Sequence, residues 1–178
     1  MASIVYTSAS GFNYSLVLPI EVHYYENQNK IRAWMGERWM YSIVISAFYL
    51  VLIYIGRSYM AKRDAFELRR LFLFWNIFLA TYSIMGACRS LPEFVYILTQ
   101  KGIKYSVCVE TYSQGVTGLW SWLFILSKPI ELIDTAFLVL KKRELIFLHW
   151  YHHVTVFIFV WYSMIDYPAT GKYRRYFT

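Results

Sequence analysis

Four long apolar blocks constrain this chain more than any other feature of its sequence. A helix that crosses the hydrocarbon core of a bilayer needs about 17 to 25 mostly apolar residues. Since backbone polar groups find no water there, the crossing segments are expected to be helical. We therefore predict an all-α, multi-pass transmembrane helical bundle, whose four spans are Trp39 to Ile55, Leu71 to Cys88, Val116 to Leu140 and Leu145 to Ile165.

Composition and charge agree with a membrane protein. Hydrophobic residues make up 58% of the 178 residues, which exceeds the share of about 45–50% in an ordinary soluble domain. The formal net charge of +7 suits a membrane surface or an anionic substrate. Nucleic acid is not an expected partner, because most of the basic residues stand in short loops beside the apolar blocks.

The loops predict the orientation of the chain and its division into parts. Eight basic residues lie in Arg57 to Arg70 and in the turn Lys141 to Arg143, and bases near span ends mark the cytosolic side. The N-terminus is therefore expected in the lumen, where Asn13 of the triplet Asn13-Tyr14-Ser15 is a predicted N-glycosylation site. The predicted parts are a lumenal segment 1–38, a transmembrane domain 39–165 and a divergent tail 166–178.

The third block carries ionisable residues, which are costly inside a membrane and mark functional sites. They are Lys128, Glu131 and Asp134, and at helical spacing they share one face with the polar Thr135. Such a face must point to the bundle interior or to a wet cavity. We expect Lys128 to pair with Glu131, which leaves Asp134 to find another partner.

The fourth block contains His149, His152 and His153. Their spacing of i, i+3 and i+4 places three imidazoles on one side of a helix. A carboxylate that accepts an imidazole N–H frees the other ring nitrogen as a base or nucleophile. Glu131 or Asp134 opposite the histidines would give that arrangement. The alternative is a structural role, since polar side chains also hold membrane helices together.

These two motifs resemble the very-long-chain fatty acid elongase (ELO) family. Its first signature, K-x-x-E-x-x-D-T, is matched from Lys128 to Thr135, and its histidine box, H-x-x-H-H, from His149 to His153. The Trp150-Tyr151 filling of the box resembles the branch that acts on long-chain saturated and monounsaturated acyl groups. The resemblance covers nearly everything from about Ala33 to Ser163.

The resemblance implies a 3-oxoacyl-CoA synthase of the endoplasmic reticulum membrane that condenses acyl-CoA with malonyl-CoA. It implies no metal and no redox cofactor, and it suggests assembly with elongases or other enzymes of the elongation cycle. In our hypothesis His152 attacks the thioester, while His149, His153 and the carboxylates orient the site and handle protons. Lys141, Lys142 and Arg143 are candidates for contact with CoA phosphates.

The chain departs from the family pattern at its C-terminal side. Family members have about seven spans, and the residues from Asp166 to Thr178 do not continue the family's expected Gly-Gly-Trp stretch. We therefore expect a C-terminally truncated form. Two alternative functions stay open: a truncated, non-catalytic subunit that binds full-length elongases, and a membrane di-iron desaturase or hydroxylase, because histidine clusters also suit iron.

Overall fold

The computed structural model describes residues 6–109 and 114–165. That part of the chain is almost entirely helical, which confirms the predicted all-α class, apart from an unpredicted hairpin of two short strands. The strands are β1 (Tyr6–Thr7) and β2 (Asn13–Tyr14). The helices are α1 (Pro19–Glu37), α2 (Met40–Ala61), α3 (Arg69–Gln100), α4 (Ile103–Cys108), α5 (Gly115–Glu131), α6 (Ile133–Leu140) and α7 (Phe147–Ile165). The predicted tail 166–178 lies outside the described residues.

Two helices of the described part, α2 and α3, are long and apolar enough to cross a membrane. They contain the first two predicted blocks apart from Trp39, which immediately precedes α2. Helix α3 is 32 residues long and continues through Pro92 to Gln100, well past the predicted end at Cys88. The total of four spans stays a prediction.

The third block differs from its prediction as one continuous helix. Helix α5 ends at Glu131 and α6 begins at Ile133, with Leu132 between them. Pro129 lies inside α5, three residues before the interruption. Because of the interruption, Lys128 and Glu131 lie on one helix, and Asp134 and Thr135 lie on the next.

The chain divides into two compact units, and the first comprises Met1–Ile31 and Leu79–Phe124. Its hairpin pairs Tyr6 with Tyr14 and Thr7 with Asn13 in antiparallel register. Tyr14, with Val116 and Trp120, forms a small buried apolar cluster.

The first unit also contains a buried ion pair between Glu21 and Arg89. The guanidinium donates to both carboxylate oxygens, with Nη2 to Oε2 at 2.6 Å and Nε to Oε1 at 3.0 Å. The same carboxylate accepts hydrogen bonds from the Leu18 backbone N–H at 2.8 Å and the Trp120 indole N–H at 3.0 Å. Glu21 therefore caps the start of α1, where Pro19 also favours helix initiation.

The second unit comprises Arg32–Phe78 and Ile125–Thr178. Within it α2 packs against α6 and α7. A Cβ atom added at Gly56 would lie 3.3 Å from a methyl carbon of Val139, so the small residue permits close approach of the two helices. The predicted site residues on α5, α6 and α7 all belong to this unit.

Candidate active site

The basic and acidic residues at the end of α5 form an ion pair. Lys128 Nζ lies 2.9 Å from both carboxylate oxygens of Glu131. The Ser127 hydroxyl donates to Glu131 Oε1 at 2.7 Å. This confirms the predicted pairing of Lys128 with Glu131, and it leaves this carboxylate already satisfied by two donors.

Asp134, at the start of α6, has a partner that the sequence pattern did not reveal. The indole N–H of Trp75, on α3, donates to Asp134 Oδ1. Trp75 also lies beside Phe137, with ring centroids 6.1 Å apart. The indole thus anchors the carboxylate while its ring packs on the same helix.

Thr135 connects the polar face to the histidines. Its hydroxyl oxygen lies 2.9 Å from His149 Nε2 and 2.7 Å from the Tyr49 hydroxyl. Thr135 is fully buried, at 1% exposed, and Tyr49 is buried as well. The two motifs of the sequence therefore meet at one hydrogen bond.

The three histidines of α7 have unequal surroundings. The rings of His149 and His153 are 4.6 Å apart at their centroids, and those of His152 and His153 are 6.0 Å apart. His149 and His153 are half-buried, whereas His152 is exposed. In the described part of the chain the His152 imidazole makes no hydrogen bond, so both of its nitrogens are available to an incoming group.

The predicted pairing of a carboxylate with an imidazole is wrong for the described residues. Glu131 receives Lys128 and Ser127, and Asp134 receives Trp75. The hydroxyl of Thr135 takes the position beside His149 instead. The physical reason is that Lys128, one turn earlier on the same helix, already pairs with Glu131, and that the Trp75 indole already donates to Asp134.

Sequence reasoning missed Tyr49 and Trp75 as members of the site. Both lie in apolar blocks that carry no other signal of chemistry. Their common property is an aromatic ring with one polar atom, which usually finds a partner when buried. A search for such residues in otherwise apolar spans would have nominated them, together with many lipid-facing aromatics.

The basic turn Lys141 to Arg143 lines a groove of about 1030 Å³. The other lining residues are the segment from Phe66 to Leu71, which adds Arg69 and Arg70. The groove therefore concentrates five cations around one anionic residue, Glu67. Lys142 Nζ donates to a backbone carbonyl, that of Arg63, at 2.9 Å, and Lys141 Nζ lies over an aromatic ring, 4.6 Å from its centroid.

The predicted glycosylation site is exposed. Asn13 lies in β2, and its side-chain oxygen accepts a hydrogen bond from the Thr7 hydroxyl at 2.7 Å. As for metal ligands, no three His, Cys, Asp or Glu side chains within residues 6–109 and 114–165 are grouped so as to hold an ion.

The arrangement contains the kinds of side chain that acyl-transfer chemistry uses. His152 offers an unengaged imidazole, the type of group that serves as nucleophile or general base near neutral pH. His149 is held by Thr135, and the His153 ring contacts both other imidazoles. Comparison with known proteins assigns the arrangement to a family.

Residues 34–175 match the family model described as ELO: GNS1/SUR4 family. The chain belongs to the GNS1/SUR4 (ELO) family. The match includes both motifs and most of the described residues, so the resemblance drawn from Lys128 to Thr135 and from His149 to His153 is confirmed. The family also confirms the predicted class, a multi-pass helical membrane protein.

Individual members of the GNS1/SUR4 family are similar over most of this chain. Very long chain fatty acid elongase 6 of Drosophila melanogaster is 42% identical over 163 residues, covering 90% of this chain and 51% of the relative. Very long chain fatty acid elongase 6 of Homo sapiens is 45% identical over 159 residues, covering 87% and 60%. Long chain fatty acid elongase 1 of Caenorhabditis elegans is 41% identical over 146 residues, covering 82% and 50%.

This member of the family spans about half the length of the curated relatives it matches. No solved structure matches it. The geometry described above includes both sequence motifs of the family.

Proposed function

We propose that this chain carries the condensing site of a fatty acid elongase, a 3-oxoacyl-CoA synthase. The reaction joins a long-chain acyl-CoA to malonyl-CoA and releases 3-oxoacyl-CoA, CO2 and CoA. The single observation that carries the proposal is the contact of Thr135 with His149, which brings the two family motifs together beside the unengaged His152. The named elongases among the relatives support the substrate class.

In the first half of the reaction His152 acts as the nucleophile. An unprotonated imidazole nitrogen attacks the thioester carbonyl, a C–N bond forms, and the C–S bond breaks to release the CoA thiolate, which then takes a proton. The product is an acyl-imidazole on His152. His152 suits this role because its ring is exposed and makes no hydrogen bond in the described part of the chain.

In the second half malonyl-CoA supplies the carbon nucleophile. Loss of CO2 leaves the electron pair of the broken C–C bond on the carbon next to the thioester. That carbon attacks the acyl-imidazole, a new C–C bond forms, and the C–N bond to His152 breaks. The departing imidazole nitrogen takes up a proton from solvent, which restores the neutral side chain. No net oxidation or reduction occurs, so the balance needs no redox cofactor.

The remaining motif residues orient the site and manage protons in this proposal. His149 and His153 lie on the same helix as the reacting imidazole, and the His153 ring is in edge contact with both His149 and His152. Lys128, Glu131, Asp134 and Thr135 fix the ends of α5 and α6 through their own hydrogen bonds. Their contribution is preorganisation, which removes reorganisation cost from the chemical step.

The groove lined by Lys141, Lys142 and Arg143 is proposed to bind the phosphates of CoA. Five cations around a space of about 1030 Å³ fit a ligand with several phosphate charges. Because Lys141 and Lys142 already have protein partners, Arg69, Arg70 and Arg143 are the best candidates for direct contact.

Replacing Arg70 and Arg143 by glutamine should raise the KM for acyl-CoA about tenfold with kcat within a factor of about two, because charge-assisted contacts to phosphate are lost while the reacting groups stay in place. Steady-state kinetics at low and physiological salt measures this. The matched control replaces Lys101 and Lys104 by glutamine, which removes the same charge outside the groove. An unchanged KM would contradict the phosphate assignment.

The cellular setting is proposed from the same family. We place the protein in the endoplasmic reticulum membrane with its N-terminus in the lumen and the basic groove on the cytosolic side, where acyl-CoA and malonyl-CoA are available. The exposure of Asn13 is compatible with lumenal glycosylation. Partners would be other elongases, including a second copy of this chain, and enzymes of the elongation cycle.

A second candidate function is that of a non-catalytic subunit that binds other elongases. In that case the protein would alter the activity of its partner rather than extend acyl chains itself. The di-iron alternative requires bound iron, which elemental analysis of the purified protein measures directly.

The deciding experiment follows two-carbon extension of palmitoyl-CoA with labelled malonyl-CoA by the purified 178-residue chain in lipid vesicles. We expect the wild type to form labelled 3-oxoacyl-CoA. A variant with His149, His152 and His153 all replaced by glutamine is expected to form none, while a His23→Gln control, outside the box, keeps the activity. An inactive wild type that stimulates or inhibits a full-length elongase would favour the non-catalytic subunit. Stoichiometric iron would favour the di-iron desaturase or hydroxylase.

A further inference from the structure

Tyr49 joins the first spanning helix to the histidine helix through a short chain of polar atoms. It lies on α2, in a segment from Met40 to Ile55 without charged residues, and its side chain is buried at 6% exposed. Its hydroxyl is 2.7 Å from Thr135 Oγ1, which in turn is 2.9 Å from His149 Nε2. The ring of Tyr49 also faces His153 edge-on, with centroids 6.4 Å apart.

The number of hydrogens in this chain of atoms restricts the state of His149. The three polar atoms form two hydrogen bonds in series, and each bond uses one hydrogen. The hydroxyls of Tyr49 and Thr135 supply one hydrogen each. If His149 Nε2 also carried a hydrogen, three hydrogens would compete for two hydrogen bonds. One hydroxyl hydrogen would then lack an acceptor in a buried place, which is costly.

The arrangement that satisfies every atom runs in one direction. The Tyr49 hydroxyl donates to Thr135, and the Thr135 hydroxyl donates to His149 Nε2. Within the described residues Tyr49 makes no other hydrogen bond, so it has no second acceptor for its hydrogen. His149 is then a neutral imidazole whose single hydrogen is on Nδ1.

We propose that Tyr49 is a positioning residue of this site, which acts through Thr135 to hold His149 as the neutral tautomer protonated at Nδ1. The inference deepens the proposed condensing function and rests on it for its catalytic meaning. The tautomer itself is a property of the folded protein and does not depend on any reaction.

This assignment gives His149 and His152 different roles in the proposed reaction. With Nε2 occupied as an acceptor, His149 serves as a hydrogen-bond donor through Nδ1–H and not as the nucleophile. A neutral donor of this kind can stabilise the negative oxygen that develops when a thioester carbonyl is attacked. The nucleophilic role is left to His152, whose nitrogens are unengaged.

Replacing Tyr49 by phenylalanine removes one hydroxyl and little volume. Without it, a single hydrogen bond joins Thr135 to His149. Either residue can be its donor, so the preference for one tautomer is lost. We expect kcat to fall about tenfold with the KM for acyl-CoA nearly unchanged, because the ground-state contacts of the substrate remain. Thr135→Ser should retain kcat within a few-fold, and Thr135→Val should match Tyr49→Phe or exceed it.

Nitrogen-15 chemical shifts of the histidine rings report the tautomer directly, in the labelled protein in detergent micelles, with His149→Gln used to assign the signal. In the wild type we expect an unprotonated Nε2 and a protonated Nδ1 at His149. In Tyr49→Phe we expect a mixture of tautomers or of protonation states. The matched control is Tyr54→Phe, on the same helix but 75% exposed, which should leave both the shifts and kcat unchanged.

Two results would overturn the proposal. One is a wild-type His149 protonated at Nε2, and the other is a Tyr49→Phe protein with wild-type shifts and wild-type kcat. A melting temperature measured for every variant separates loss of fold from loss of the hydrogen-bond chain. If the wild type lacks condensing activity, the proposed function fails, while the nitrogen shifts still decide whether Tyr49 sets the tautomer.

Discussion

Replacing His152 by alanine is expected to abolish two-carbon extension, with a loss of about 1,000-fold or more in kcat. The reason is that the side chain would form the covalent acyl intermediate, and a group that supplies a covalent step is not replaced by water. Radiolabelled palmitoyl-CoA in the absence of malonyl-CoA provides the most direct measurement. The wild type should retain label on the protein, at a peptide that contains His152.

The neighbouring histidines give the matched controls for this experiment. His149→Gln and His153→Gln remove an imidazole from the same face of the same helix. Because these two side chains are expected to act by orientation and proton transfer, their loss should cost about 100-fold and still allow slow labelling of His152. Label that persists in His152→Ala and disappears in His153→Gln or His149→Gln would reassign the nucleophile to that residue.

Folding of the His152 variants must be shown to be intact for the comparison to stand. His152 is exposed and makes no hydrogen bond within the described residues, so its replacement should leave the melting temperature near that of the wild type. His149, in contrast, loses its bond to Thr135 when it is replaced. A small decrease in melting temperature is therefore expected for His149→Gln alone.

The sequence predicted the elements of the site better than their connections. Charged and imidazole side chains inside apolar blocks are conspicuous because they are costly there. This is why both motifs and their helices were found, and why Lys128 and Glu131 were paired correctly at spacing i, i+3. Helical spacing alone was enough for that local contact.

The connections between helices depend on packing, which a periodic pattern does not encode. The break between α5, which ends at Glu131, and α6, which begins at Ile133, is one feature that the pattern did not predict. Asp134 meets Trp75, and Thr135 meets Tyr49 and His149. No spacing rule links Tyr49 or Trp75 to residues about 60 to 90 positions later, so these partners needed three-dimensional information.

Substituting Arg89 by methionine is the second change with a large expected effect, this time on stability. Glu21 is almost completely buried, at 1% exposed, and Arg89 is the cation on its carboxylate. Removing only the cation leaves a buried negative charge, which costs about 3–5 kcal/mol in comparable pairs. Hydrogen–deuterium exchange of residues 6–31 should increase, and the melting temperature should fall.

The surface of the same molecule offers a matched control. Arg38 and Glu37 also form an ion pair, at 3.3 Å, but their side chains are 36% and 73% exposed. Arg38→Met should cost no more than about 1 kcal/mol, because exposed pairs contribute little. Equal losses of unfolding free energy in Arg38→Met and Arg89→Met would show that burial of Glu21 does not affect the cost of removing its cation.

The pH dependence separates a lost ion pair from lost packing. Burial alone would raise the pKa of the Glu21 carboxyl, but the donors Arg89, Leu18 N–H and Trp120 hold it below its ordinary value of 4.5. Wild-type stability from this group is therefore present above pH 4.5 and is lost only as the pH falls through the lower folded pKa. In Arg89→Met the guanidinium is gone, and burial is expected to raise the pKa instead.

The sign of the pH effect should therefore reverse in the variant. A raised folded pKa gives stability that is present at low pH and is lost as the pH rises, so Arg89→Met should gain stability between pH 7 and pH 5 while the wild type stays level. The double variant Glu21→Gln, Arg89→Met removes both charges of this pair, and it should recover much of the loss and show no pH dependence from this pair. If Arg89→Met and the double variant are equally stable at pH 7, Arg89 acts through packing and not through the charge of Glu21.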